Sequence, residues 1–121
     1  MNLKLQSIAD KGDLAKERLV IKVLKDTNIA DYVVLRTGYG TDGSPTTKVH
    51  NTLWLASKKL SAGDLVVVYS KAGKNNSKEL SEERNAHFFY WGSTAPLWGV
   101  TDKVAVLLHA PEWQSKTVEE L

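Results

Sequence analysis

Apolar residues in this chain recur at every second position, in short runs separated by glycine, asparagine and aspartate. Successive side chains of an extended strand point to opposite faces, so this spacing predicts strands rather than helices. The strongest run is Leu65-Val66-Val67-Val68-Tyr69, entered by the turn Ala62-Gly63-Asp64 and closed by Lys71-Ala72-Gly73-Lys74. Leu65, Val67 and Tyr69 fall on one side of it, Val66 and Val68 on the other. Both sides are apolar, which predicts an interior strand of a sheet covered on both faces.

Leu3 to Ala9 reads as an opening strand with Leu3 and Leu5 on one face, followed by the turn Asp10-Lys11-Gly12-Asp13. In Glu17 to Leu24, Leu19, Ile21 and Val23 alternate with Lys22, and the β-branched residues disfavour a helix. Tyr32 to Arg36 gives a third strand, and Thr37 to Thr47, rich in glycine, a loop or wide hairpin. Lys48 to Leu55 returns as a strand. Residues 71–86 form the longest polar stretch and are expected to be a loop, with room for one helical turn from Ser77 to Arg84. His87 to Trp91 is an aromatic strand. Gly92 to Val100 reads as a bent connection, and Lys103 to His109 as a last strand with Val104, Val106 and Leu108 inward. The tail 110–121 carries Trp113. Short strands at this spacing without a long helix predict one all-β sandwich over residues 1–121, of about seven to nine strands, with 1–10 as its opening strand.

Composition narrows the function classes. The 121 residues carry 16 cations and 14 carboxylates, a net charge of +2, too mild to require a nucleic-acid or membrane partner. Without cysteine there is no disulfide, thiolate chemistry or Cys-ligated zinc. The N-terminal residues lack the apolar core of a signal peptide and no stretch reaches membrane-spanning length, so a cytoplasmic protein without a membrane partner is expected.

Candidate chemistry is sparse. Gly38-Tyr39-Gly40-Thr41-Asp42-Gly43 matches a dinucleotide-binding fingerprint, but no helix follows to hold a pyrophosphate, so it reads as a β-loop. His50, His87 and His109 stand at strand edges without metal-ligand spacing or a nucleophile elbow, and hydrogen bonds to backbone or water account for them. No catalytic set, cofactor or metal is expected. Trp54 and Trp91 read as core. In His87 to Trp91, alternation sends Phe88 and Tyr90 away from His87, Phe89 and Trp91. That leaves either an aromatic patch for a partner or a surface covered by the tail around Trp113. Between Lys48 and Lys78 there are six lysines against Asp64 alone, and Lys71, Lys74 and Lys78 could contact phosphates. The absence of arginine there weighs against base readout.

Ala62-Gly63-Asp64 before an apolar strand, then His87 to Trp91, Trp98 and Asp102-Lys103-Val104-Ala105-Val106-Leu107-Leu108, resembles the lamin tail domain pattern. Glu17 to Ile21 and Asn28 to Val34 are similar to that family's early strands. The likeness spans roughly residues 17–109, with Leu55-Ala56 where the family carries Phe-Pro. It implies an immunoglobulin-like sandwich serving as a non-enzymatic module, and a free-standing one would suit a bacterial or phage accessory protein. The expected function is binding of a protein partner, or of a second copy, through Lys71, Lys74, Lys78, Phe88, Tyr90 and Trp98. Nucleic-acid or nucleotide binding through the lysines is the alternative, and a hydrolase the second alternative.

Overall fold

The computed structural model describes residues 1–121 and is an all-β sandwich. Ten strands follow in order: β1 (Leu3–Ala9), β2 (Arg18–Val23), β3 (Thr27–Asn28), β4 (Tyr32–Tyr39), β5 (Pro45–Trp54), β6 (Lys59–Leu60), β7 (Leu65–Tyr69), β8 (Asn76–Ser81), β9 (Arg84–Tyr90) and β10 (Lys103–His109). Two single 3₁₀ turns, Ile29–Asp31 and Val118–Glu120, are the only helical residues. A five-stranded sheet runs β1-β2-β7-β9-β8, a three-stranded sheet β10-β4-β5, and β3 pairs with β6 as a small ribbon. The two larger sheets close over one core of Leu3, Leu19, Ile21, Val23, Val66, Val68 and Phe89 from the first and Tyr32 and Val34 from the second. The arrangement is compatible with an immunoglobulin-like sandwich.

The apolar run Leu65–Tyr69 forms the middle strand of the larger sheet, between β2 and β9. It pairs antiparallel with β2 and parallel with β9, so the chain must leave β7, cross to the edge as β8, and return through β9. That crossover corrects the expected loop at 71–86. Residues 76–81 are edge strand β8 and 84 onward is β9, joined by a tight turn at Glu82-Glu83, with no helical turn. All six β8 side chains are exposed, so hydrophobic periodicity could not reveal the strand; its pairing with β9 makes it.

Three further expectations change for reasons of register. The predicted loop 37–47 shrinks to a hairpin tip, because β4 runs to Tyr39 and β5 begins at Pro45. In β10 the inward residues are Ala105 and Leu107, not Val104, Val106 and Leu108, because Leu107 lies opposite buried Val34. Leu108 is exposed. Trp54 is not core: Leu53 opposite Val34 takes the inward place, and Trp54 turns outward, 53% exposed. There it donates its indole N–H to the Ala30 carbonyl and meets Trp113 edge-on at 4.8 Å. The tail therefore covers the smaller sheet and leaves the aromatic strand β9 alone.

One buried carboxylate locks the far end of the sandwich. Glu17 has no exposed surface; it accepts hydrogen bonds from the backbone N–H groups of Gly12, Leu97 and Trp98 and from the Ser70 hydroxyl. These partners tie the β1–β2 turn, the end of β7 and the 92–102 connection to one another. Gly12 (φ 88°) and Gly99 meet backbone to backbone beside it, and a Cβ on Gly99 would press on the Gly12 Cα.

Candidate functional site

Strand register assigns every residue of the larger sheet to a face. Opposite Val20, Val67 and Phe88 lie, in register, Lys22, Leu65 and Ala86 on one side and Arg18, Tyr69 and Tyr90 on the other. All point away from the central core cluster, though Val67 (7% exposed) and Ala86 (3%) are themselves buried on this side of the sheet. Lys4 from β1 and Asn76 and Lys78 from β8 extend the same face to both edges. Its centre is an apolar stripe of Leu65, Val67, Tyr69, Phe88 and Tyr90, flanked by Lys4, Arg18 and Lys22 on one side and Lys78 on the other. No carboxylate stands in register on this face; Asp10, from the adjoining turn, pairs with Arg18 at 2.8 Å.

The rings stand against one another. Tyr69 and Tyr90 are stacked with centroids 5.4 Å apart and planes 11° from parallel, and Phe88 sits 6.3 Å from Tyr69. The Lys71 ammonium lies over the Tyr69 ring, 5.0 Å from its centroid. Gly73 lies so close to Tyr90 that a Cβ there would overlap the ring, and this close approach is why the position needs glycine. The ring faces of both tyrosines are thus largely taken up within the protein, and the stripe presents ring rims and lysines. Lys74 sits in the connection that crosses Tyr90, fully on the exterior.

Five of the six residues expected to bind a partner, Lys71, Lys74, Lys78, Phe88 and Tyr90, therefore gather on or beside one face. Trp98 does not. It is 5% exposed, set edge-on to Trp91 at 6.1 Å, with its backbone N–H held by Glu17. It serves the core because the 92–102 connection folds inward onto that carboxylate. The lysine run also divides. Lys48 belongs to β5 of the other sheet and Lys58 and Lys59 to the β6 region, whereas Lys4 and Lys22 join Lys71 and Lys78. Only strand pairing brings them together.

The inner face of the same sheet holds a polar row that sequence reading missed. Asp64, just ahead of β7, is 1% exposed and accepts hydrogen bonds from the backbone N–H groups of Ser61 and Asn85. His87, 5% exposed, places Nε2 2.9 Å from the Asp64 carboxylate and Nδ1 2.9 Å from the Ser77 hydroxyl. His87 is thus buried between two side chains rather than bonded to backbone or water. Burial, the largest effect on Asp64, pushes its pKa up, but the bonds from His87, Ser61 and Asn85 outweigh it and hold the carboxyl below its ordinary value. An acceptor-only carboxylate requires the proton of the neutral ring on Nε2, so Nδ1 accepts from Ser77. Direct pairing of Ser77 with His87 across β8 and β9 was legible only once β8 was known to be a strand. The other histidines stand apart: His50 is exposed on β5, and His109 stacks on Tyr32 at 4.7 Å. No group of three or more His, Cys, Asp or Glu side chains is placed to hold a metal ion.

No protein-family model matches the chain, and neither does any curated protein. No helix is long and apolar enough to cross a membrane. The functional reading therefore rests on the two faces of the larger sheet.

Proposed function

We propose that the chain is an interaction module of the lamin-tail kind, binding a protein partner through the outer face of its five-stranded sheet. The observation that carries this reading is the apolar stripe of Leu65, Val67, Tyr69, Phe88 and Tyr90 flanked by Lys4, Lys22, Lys71 and Lys78. Tyrosine-rich centres with a polar rim are what protein interfaces are made of. Charge complementarity makes the partner surface acidic. Single-stranded nucleic acid would need free ring faces for base stacking. Here Tyr69 and Tyr90 stack on each other, with Lys71 over one and Gly73 against the other, which favours a protein. The turn at Ala62-Gly63-Asp64, with Gly63 at φ 92°, feeding the central strand supports the family likeness.

The test is capture from nuclease-treated native lysate by the wild-type chain and by K22E/K78E and F88A variants. These positions lie outside the core, so the thermal midpoint should stay within a few degrees. A partner retained by the wild type and lost about tenfold or more by the charge reversal is the expected result. Equal retention by the variants would remove this face from the interaction, and loss on nuclease treatment would transfer it to nucleic acid.

A further inference from the structure

The row Ser77–His87–Asp64 has the connectivity of a hydroxyl nucleophile, a base and an orienting carboxylate, each within hydrogen-bond reach of the next. The three come from separate segments: Asp64 from the turn before β7, His87 from β9 and Ser77 from β8. The buried carboxylate and imidazole are at the inner end and the exposed hydroxyl at the outer end. Ser77 also opens onto a cavity of about 200 Å³ lined with Lys58, Asn75, Asn76, Phe88 and Phe89. Such a cavity is small beside ordinary ligand pockets, which limits an occupant to a short acyl group.

We propose that Ser77 is an activated nucleophile for short-chain esters, with His87 as its general base and Asp64 as the positioning residue. This goes beyond the binding role of the outer face and shares with it only the lining Asn76 and Phe88. Ser77 Oγ adds to the ester carbonyl carbon while its proton passes to His87 Nδ1, and the carbonyl π pair moves onto oxygen. Collapse of that adduct expels the alkoxide, which takes the proton from Nδ1 and leaves as the alcohol. Water then gives a proton to Nδ1 and its hydroxide adds to the acyl-serine carbon. The carboxylic acid departs as Ser77 recovers its proton. Asp64 holds the ring in the tautomer that leaves the Nδ1 lone pair facing Ser77 and offsets the charge of the imidazolium. Lys58 and the Asn75 amide are the donors lining the cavity on which oxyanion charge can fall.

The experiment treats the full chain with a fluorophosphonate probe and, separately, with p-nitrophenyl acetate. Labelling of the folded protein mapped to Ser77, absent from S77A and from heat-unfolded protein, is the expected result. H87Q should lower the labelling rate by about 10²-fold, the usual contribution of a general base. Asp64→Asn should slow it, because an amide can turn its N–H toward Nε2 and favour the tautomer whose Nδ1 carries the proton, and Asp64→Glu should restore part of the rate, which a merely structural loss would not do. Folded wild type that labels no faster than S77A, or H87Q that labels as fast as wild type, overturns the proposal. S77A lies off the outer face and should retain the partner unchanged, so failure here leaves the binding role standing and the reverse also holds.

Discussion

Glu17 shows how much one side chain can carry. Burying a carboxylate is costly, and burial is the largest single effect on its titration, pushing it upward. The bonds from Ser70, Gly12, Leu97 and Trp98 outweigh that and hold the group below its ordinary value of 4.5. A carboxyl whose folded value is depressed adds stability that is fully present above the unfolded value and is lost as pH falls through the folded one. Asp64 obeys the same rule from its ordinary value of 3.8. Urea midpoints should therefore hold steady above about pH 5 and fall as the medium becomes more acid. Glu17→Gln should cost about 2–4 kcal/mol at neutral pH, because an amide offers one acceptor oxygen where two served several buried donors. The same variant should show a shallower acid limb. A variant with wild-type stability, or an unchanged limb, would mean that these bonds contribute nothing net.

At the scale of elements, the crossover from β7 through β8 to β9 builds both sites, since it aligns Ser77 with His87 and lays Gly73 on Tyr90. Gly73→Ala should displace the Tyr90 ring, at a cost of about 1–3 kcal/mol. It should alter the near-ultraviolet circular dichroism of the stacked tyrosines and weaken partner capture. An unperturbed tyrosine signal would show that the connection yields instead. The tail is a looser element, held chiefly by Trp113 on Trp54. Trp113→Ala removes an aromatic pair worth roughly 0.5–1.5 kcal/mol. Limited proteolysis beyond residue 110 should quicken while the thermal midpoint barely moves, as no tail residue is buried. A large fall in that midpoint would make the tail part of the core.

At the scale of the molecule, the five- and three-stranded sheets share one apolar core, and Glu17 fastens the segments at one end of it. Neither sheet can bury its inner face alone. Thermal unfolding followed by tryptophan fluorescence and by far-ultraviolet circular dichroism should therefore give coincident single transitions. Separate midpoints would mean that the sheets unfold independently. The outer face adds a second whole-molecule property. Cations from three of its five strands and from the β7–β8 connection surround an apolar stripe, so partner association should slow as salt screens the field, while the release rate changes less. A salt-insensitive association rate would place the binding energy in the stripe alone.

Alternation of apolar and polar residues was enough to read the all-β class, the central strand Leu65–Tyr69 and the outward turn of Phe88 and Tyr90. Each follows from the two-residue period of an extended chain, which is a local property. The wholly exposed strand β8 could not be read that way, because it exists only by pairing with β9. The inward residues of β10, the outward turn of Trp54 and the burial of Trp98 were likewise set by register and by a carboxylate distant in sequence. Both sites follow the same division. Their residue types are visible along the chain, but Lys4 and Lys22 reach Lys71 and Lys78, and Asp64 and His87 reach Ser77, only across strands. Hydrogen-bond pairing over long separations decides which side chains meet, and a linear pattern fixes only the face that each one takes.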